Sequence, residues 1–101
     1  MLHILHLEDN ADDAFLIQQT LLDHKIDAEI QQVPTRAAFL DALERGGFDL
    51  ILADSYLPGL DGAEAMKMAR AKYPEVSMIA VSGAVNEVHA QAVMDVARRV
   101  A

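Results

Sequence analysis

Cysteine is absent from the 101-residue chain. That excludes a disulfide framework and any thiolate-held zinc site. Basic residues are scarce: 8 Lys and Arg stand against 16 Asp and Glu, for a formal net charge of -8. Such a surplus of acid offers no basic face to a nucleic-acid backbone and none to an anionic membrane. Its ordinary effect is solubility. Long hydrophobic runs are also missing, and none approaches the ~20 residues that cross a bilayer. The opening MLHILHLEDN lacks both the basic flank and the small-residue cleavage site of a secretory leader. No internal repeat, low-complexity tract or linker interrupts the sequence. These absences lead to the expectation of a soluble cytoplasmic protein that binds neither nucleic acid nor membrane. Its 101 residues form one small domain, residues 1–101.

What is present is enough apolar material for a core, 52% of residues, arranged with two alternating periods. LHILHL (Leu2–Leu7) reads as a strand. Ala11–Lys25 has helical length, with Phe15, Leu16, Ile17, Leu21 and Leu22 at helical spacing. AEIQQV (Ala28–Val33) is strand-like but half polar, as an edge strand should be. Thr35 after Pro34 is a candidate N-cap for a helix through Arg45 that turns Phe39, Leu40 and Leu43 inward. Gly46-Gly47 stops that helix. Asp49–Ala53 predicts a strand and Gly62–Lys72 a helix with Met66 and Ala69 facing in. Val76–Val81 predicts a central strand buried on both faces. Glu87 to Val100 carries Val88, Ala92, Val93, Val96 and Val100 at helical spacing. Four β-α units in succession predict an α/β, doubly wound parallel sheet covered on both faces. A central fourth strand needs a neighbour on its far side. A further strand and helix would take roughly 20 residues, so the sequence reads as short at its C-terminus.

In a doubly wound sheet, ligands gather beyond the carboxyl ends of the strands. Glu8 and Asp9 follow the first predicted strand, Asp54 the third and Ser82 the fourth. The three carboxylates would repel one another on one rim unless a cation joins them. Oxygen-only ligation with open positions suits Mg²⁺. A metal there would hold Asp54 ionised and favour an incoming phosphoryl group, which Asp54 could accept as an acyl phosphate. Ser82 could donate a hydrogen bond to that group. A plainer reading stands beside this one: Asp after a strand commonly caps or turns the chain, and Glu8-Asp9 could simply favour the start of the first helix.

LEDN around Glu8-Asp9, DSYLPGLDG beginning at Asp54, and IAVSGAVNE around Ser82 resemble, in this order, the motif blocks of response-regulator receiver domains. These domains are the phosphoacceptor modules of two-component signalling. The likeness runs from about Leu2 to Met94. It implies a flavodoxin-like fold with a parallel sheet in the order 2-1-3-4-5, of which this sequence supplies four βα units in the order 2-1-3-4. It also implies Asp54 as phosphoacceptor, Ser82 as phosphoryl partner, and Mg²⁺ held by Glu8, Asp9, Asp54 and the backbone carbonyl of Tyr56. The Leu57-Pro58-Gly59 turn would keep the following loop clear of the pocket.

The sequence also departs from the family. No lysine follows Ser82, whereas the family places one at the end of its fifth strand, against the phosphoryl group. Lys25, Lys67 and Lys72 lie in the wrong segments to replace it. The fifth strand, the fifth helix and the aromatic switch residue have no counterpart either. Three explanations follow: a truncated receiver, a strand supplied by another molecule, or a shortened receiver that only binds.

The implied partner is a histidine kinase or a histidine phosphotransfer protein, with a downstream protein as reader. The open edge of the fourth strand invites strand exchange or a dimer. The alternative function is a degenerate receiver that binds protein without phosphorylation. A phosphatase of the haloacid dehalogenase type, which resembles Asp-x-Asp after its first strand, fits HLEDN poorly because the acids here are adjacent.

Other side chains carry less. His3 and His6, three apart on a strand, point to opposite faces and cannot chelate one ion. His24 and His89 read as solvated helix residues, and the five methionines as core filler. Asp12 and Asp13 suit a helix N-terminus, and Asp61 reads as a cap for the third helix.

Overall fold

The computed structural model describes residues 1–54, 62–81 and 87–100, with the backbone alone at 54, 62, 63, 87, 88 and 100. The elements run β1 (Leu2–Leu7), α1 (Ala11–Asp23), β2 (Ala28–Val33), α2 (Arg36–Arg45), β3 (Leu50–Asp54), α3 (Gly62–Lys72), β4 (Ser77–Val81) and α4 (Glu87–Val100). The four strands form one parallel sheet in the order β2-β1-β3-β4. This is the flavodoxin-like arrangement, with the order 2-1-3-4 that the resemblance implies.

Strand alternation divides the core in two. Leu5, Leu7, Ile51 and Ala53 point to a face covered by Phe39, Ala42 and Leu43 of α2 and by Ala65 and Ala69 of α3. Leu2, Ile4, Leu50 and Leu52 point to the other, covered by Ile17 and Leu21 of α1 and by Val93 and Val96 of α4. Side chains alternate because successive residues of a strand face opposite ways. The α2 and α3 crossovers run in one direction across the sheet and share a face, as right-handed connections require. No strand follows α4 among the described residues, and α4 packs on the face of α1.

That placement explains how β4 differs from the sequence expectation. Its apolar run predicts a strand buried on both faces. Instead β4 is an edge strand, with Met78 and Ile79 half-buried and Ala80 exposed. Val81 is buried on the side where α4 lies, while Ala80, of the opposite parity, is exposed at the edge of the α2–α3 side.

Other boundaries shift for local reasons. The amide of Asp49 donates to the His3 carbonyl at 2.8 Å, while its carboxylate accepts from the His3 amide at 2.8 Å. Asp49 thus joins β1 through its side chain, and the ladder starts at Leu50. Helix α1 ends at Asp23, and the amides of His24, Lys25 and Ile26 close its last turn on the carbonyls of Thr20, Leu22 and Leu21. Lys25 there adopts φ 57°. His24 is half-buried, with its Nδ1 2.9 Å from the Thr20 carbonyl, and His89 is half-buried on α4; neither is the solvated residue expected. Thr35 caps α2 as its position suggests, accepting from the Ala38 amide at 3.1 Å. His3 is exposed and His6 buried, and their odd spacing puts them on opposite faces of β1. Asp61 and the Leu57-Pro58-Gly59 turn lie outside the described residues.

Gly46 ends α2 at φ 68° and ψ -161°, a backbone region that side chains avoid. A Cβ there would sit 2.9 Å from the Tyr73 hydroxyl oxygen, and that hydroxyl donates to the Leu43 carbonyl. Gly46→Ala should therefore lower stability by about 1–3 kcal/mol, read from urea unfolding. A neutral result would mean that the α2–β3 corner is looser than described.

Candidate functional site

The register of the sheet decides which residues meet at its carboxyl rim. Leu7 pairs with Ala53 across β1 and β3, so Glu8 and Asp54 are each the next residue on neighbouring strands. Asp54 pairs with Val81 across β3 and β4, the last residue of β4, which Ser82 follows in the sequence. Neighbouring strands lie about 4.8 Å apart, which brings the backbones that carry Glu8, Asp9 and Asp54 to one short stretch of rim. The Asp54 side chain lies outside the described atoms, and Tyr56 and Ser82 lie outside the described residues altogether.

The two acids after β1 have different surroundings. Glu8 is 3% exposed, whereas Asp9 is exposed. The Glu8 backbone is held from both sides by β2. Its amide donates to the Val33 carbonyl at 3.1 Å, and its carbonyl accepts from the Gln32 side-chain nitrogen at 3.0 Å. Immediately afterwards the Asn10 side-chain oxygen accepts from the amides of Asp12 and Asp13, at 2.8 and 3.2 Å, and starts α1. Asp9 is thus fixed between a strand end and a helix cap, and Asp12 and Asp13 sit in the first turn, as the sequence suggests.

Two residues of this arrangement escape the sequence reading. Asn10 carries a usable signal, being a capping residue type directly before a helical run. Gln32 carries none, because its contact with Glu8 spans 24 residues.

Among the described residues no group of three or more His, Asp or Glu side chains is placed to hold a metal. The donor set implied for one includes the Asp54 carboxylate and the Tyr56 carbonyl, which the description does not reach. What it reaches is compatible with a hard cation: oxygen donors only, an exposed carboxylate at Asp9, and an anchored backbone under it. The residues present therefore fit Mg²⁺.

Apolar side chains are exposed along the helix that starts at the rim. Helix α1 begins at Ala11, just beyond the acidic pair, and exposes Phe15 (57%), Leu16 (51%) and Leu22 (58%). The sequence places these in a helix but does not show that they face outward, since Ile17 and Leu21 alone meet the core. The described helices include none long and apolar enough to cross a membrane.

Comparison with known proteins agrees with this geometry. A family model described as the response regulator receiver domain matches residues 4–99. The sensor protein GacS of Pseudomonas syringae pv. syringae is 35% identical over 68 residues, which are 67% of this chain and 7% of GacS. The chain thus spans a small fraction of that relative's length. Among solved structures, the MaeR response regulator bound to beryllium trifluoride has a TM-score of 0.71 at 26% identity, covering 87% of this chain and 71% of MaeR. The Thermotoga maritima response regulator TrrA, solved with Mg²⁺ and a beryllium fluoride, has a TM-score of 0.79 at 18% identity, covering 100% of both chains. At that identity TrrA supports the fold alone. With nearly its whole length matched by one family model and its sheet in that family's order, the chain belongs to the response regulator receiver domain family of two-component signalling.

Proposed function

We propose that this chain is a phosphoacceptor module in a two-component phosphorelay. A partner's phosphohistidine supplies the phosphoryl group. Its P–N bond breaks, a P–O bond forms to the Asp54 carboxylate, and the imidazole leaves to take up a proton. Glu8, Asp9, Asp54 and the Tyr56 carbonyl would hold Mg²⁺, which supplies charge stabilisation to the equatorial oxygens of the transferring group. Ser82 would donate a hydrogen bond to one of those oxygens. The chain acts as one signalling domain over residues 1–101, placed in the cytoplasm with its donor, and catalyses nothing beyond its own phosphorylation and dephosphorylation. The observation that carries this reading is the register: Leu7 opposite Ala53 and Asp54 opposite Val81.

The donor is a histidine kinase or histidine phosphotransfer protein. It must approach over the rim, beside the exposed Phe15 and Leu16, so its complementary surface is apolar and helical. A downstream protein reads the result. The test is the intact mass of the wild-type protein after incubation with acetyl phosphate and Mg²⁺. A single phosphoryl adduct that disappears when the metal is chelated supports the reading, and no adduct on folded protein overturns it.

The edge strand favours a second reading, a receiver that binds protein without phosphorylation. Its sequence SMIAV has no charge and no proline, the usual guards of an open edge. The polar edge strand β2 contrasts with it. Strand exchange or a dimer through β4 follows from this, and sedimentation should show self-association that rises with concentration. A monomer at every concentration would refute it.

A further inference from the structure

We infer that Gln32 is a positioning residue for the metal site, acting through the backbone of Glu8. The inference rests on the metal-binding reading above. The β1–β2 ladder runs in register from Leu2 opposite Ala28 to Leu7 opposite Val33. Its last backbone bond goes from the Glu8 amide to the Val33 carbonyl at 3.1 Å. Beyond Val33 the strand cannot continue. Pro34 has no amide hydrogen, and Thr35 turns to cap α2. The Glu8 carbonyl would otherwise point at a place where the ladder has run out of donors. The Gln32 side chain reaches back to supply the missing one, at 3.0 Å.

That carbonyl belongs to the peptide that joins Glu8 to Asp9. Holding its oxygen on one side and the Glu8 amide on the other fixes both peptide planes at the exit of β1. Asp9 is exposed, so nothing in the core orients its carboxylate; its direction is inherited from the peptide before it and the Asn10 cap after it. Gln32 itself lies on the outer strand with its side chain exposed and contributes no member to either core cluster. Its role is thus separable from packing.

The test measures Mg²⁺ affinity by calorimetry for the wild type, Gln32→Leu and Gln32→Glu, with the Asp9 amide followed by NMR. Gln32→Leu removes the donor. Gln32→Glu keeps the length and sets an acceptor against the Glu8 carbonyl. Both should weaken Mg²⁺ binding by about 3- to 10-fold, the range of one net hydrogen bond acting on a ligand's support. The Asp9 amide should shift in the metal-free protein. The glutamate variant separates positioning from charge, since an added carboxylate acting only by its field would tighten Mg²⁺ binding. Tighter binding in Gln32→Glu, or wild-type affinity in both variants, overturns the inference alone. A folded wild type that binds no Mg²⁺ overturns the metal reading and this inference with it. Should Gln32→Leu fail to fold, the glutamate arm decides.

Discussion

Asp54→Asn is expected to gain no phosphoryl group under conditions that label the wild type. The chemical reason is the nucleophile. A carboxylate can form an acyl phosphate, whereas a carboxamide oxygen is neutral and a poor nucleophile at any accessible pH. The structural reason is the rim. Asp54 ends β3 opposite Val81 and one step past the Leu7–Ala53 pair, so its backbone position is set by the β3–β4 ladder rather than by a loop. A neighbouring acid cannot take over easily: the Glu8 side chain is buried, and Asp9 leaves from a different strand end. Asp54→Glu should also lose most labelling, because one added methylene displaces the reacting oxygen by more than an ångström, a shift that can cost ~100-fold. Intact mass gives the result, and fragment mapping gives the site. Labelling of Asp54→Asn equal to that of the wild type would move the acceptor elsewhere and remove the main support for a phosphorelay role.

The sequence made the sheet legible because each strand ends in a change of chemistry. LHILHL stops at Glu8, and LILA stops at Asp54. The strand order came from the resemblance to receiver domains, since right-handed crossovers narrow the topologies without choosing one. The rim acids could be named for the same reason: residues after strands must emerge at one end of a parallel sheet. What stayed hidden depends on contacts distant in sequence. Met78, Ile79 and Ala80 look like a buried strand until the sheet order puts β4 at its edge, where Met78 and Ile79 are only partly covered by the two core clusters and Ala80 is exposed. Phe15 and Leu22 share the helical spacing of Ile17 and Leu21, and only the fold shows that the latter pair carries the inward stripe. Gln32 looks like edge-strand polarity until its side chain is found under the Glu8 carbonyl. Periodicity reports which faces exist, but not which of them another element covers.

Phe39→Ala should remove a large share of the stability of the domain, and Mg²⁺ should return part of it. Phe39 is fully buried in the cluster that joins α2 to Leu5 and Leu7 of β1, Val33 of β2 and Ile51 of β3. Truncation leaves a cavity among three strands that cannot collapse together without breaking the ladder, so a loss of about 3–5 kcal/mol is expected. Domains of this length have about 5–15 kcal/mol in all. Urea unfolding with circular dichroism measures it, and a loss below about 1 kcal/mol would mean that α2 is not seated as described. Phe39→Leu fills more of the space and should lose much less. The Phe39 cluster lies under Leu7, one residue from Glu8, but on the helix-covered face rather than at the rim. The native variant should therefore keep the oxygen donors in place and bind Mg²⁺ as the wild type does. A ligand bound only by the native state stabilises it by mass action, about 2.7 kcal/mol at a hundredfold excess over Kd. Saturating Mg²⁺ should shift the unfolding midpoints of wild type and Phe39→Ala by equal free energies. Equal shifts would mean that core and rim act independently. A smaller shift in the variant would mean that the packing of α2 against β1 also sets the geometry of the acids.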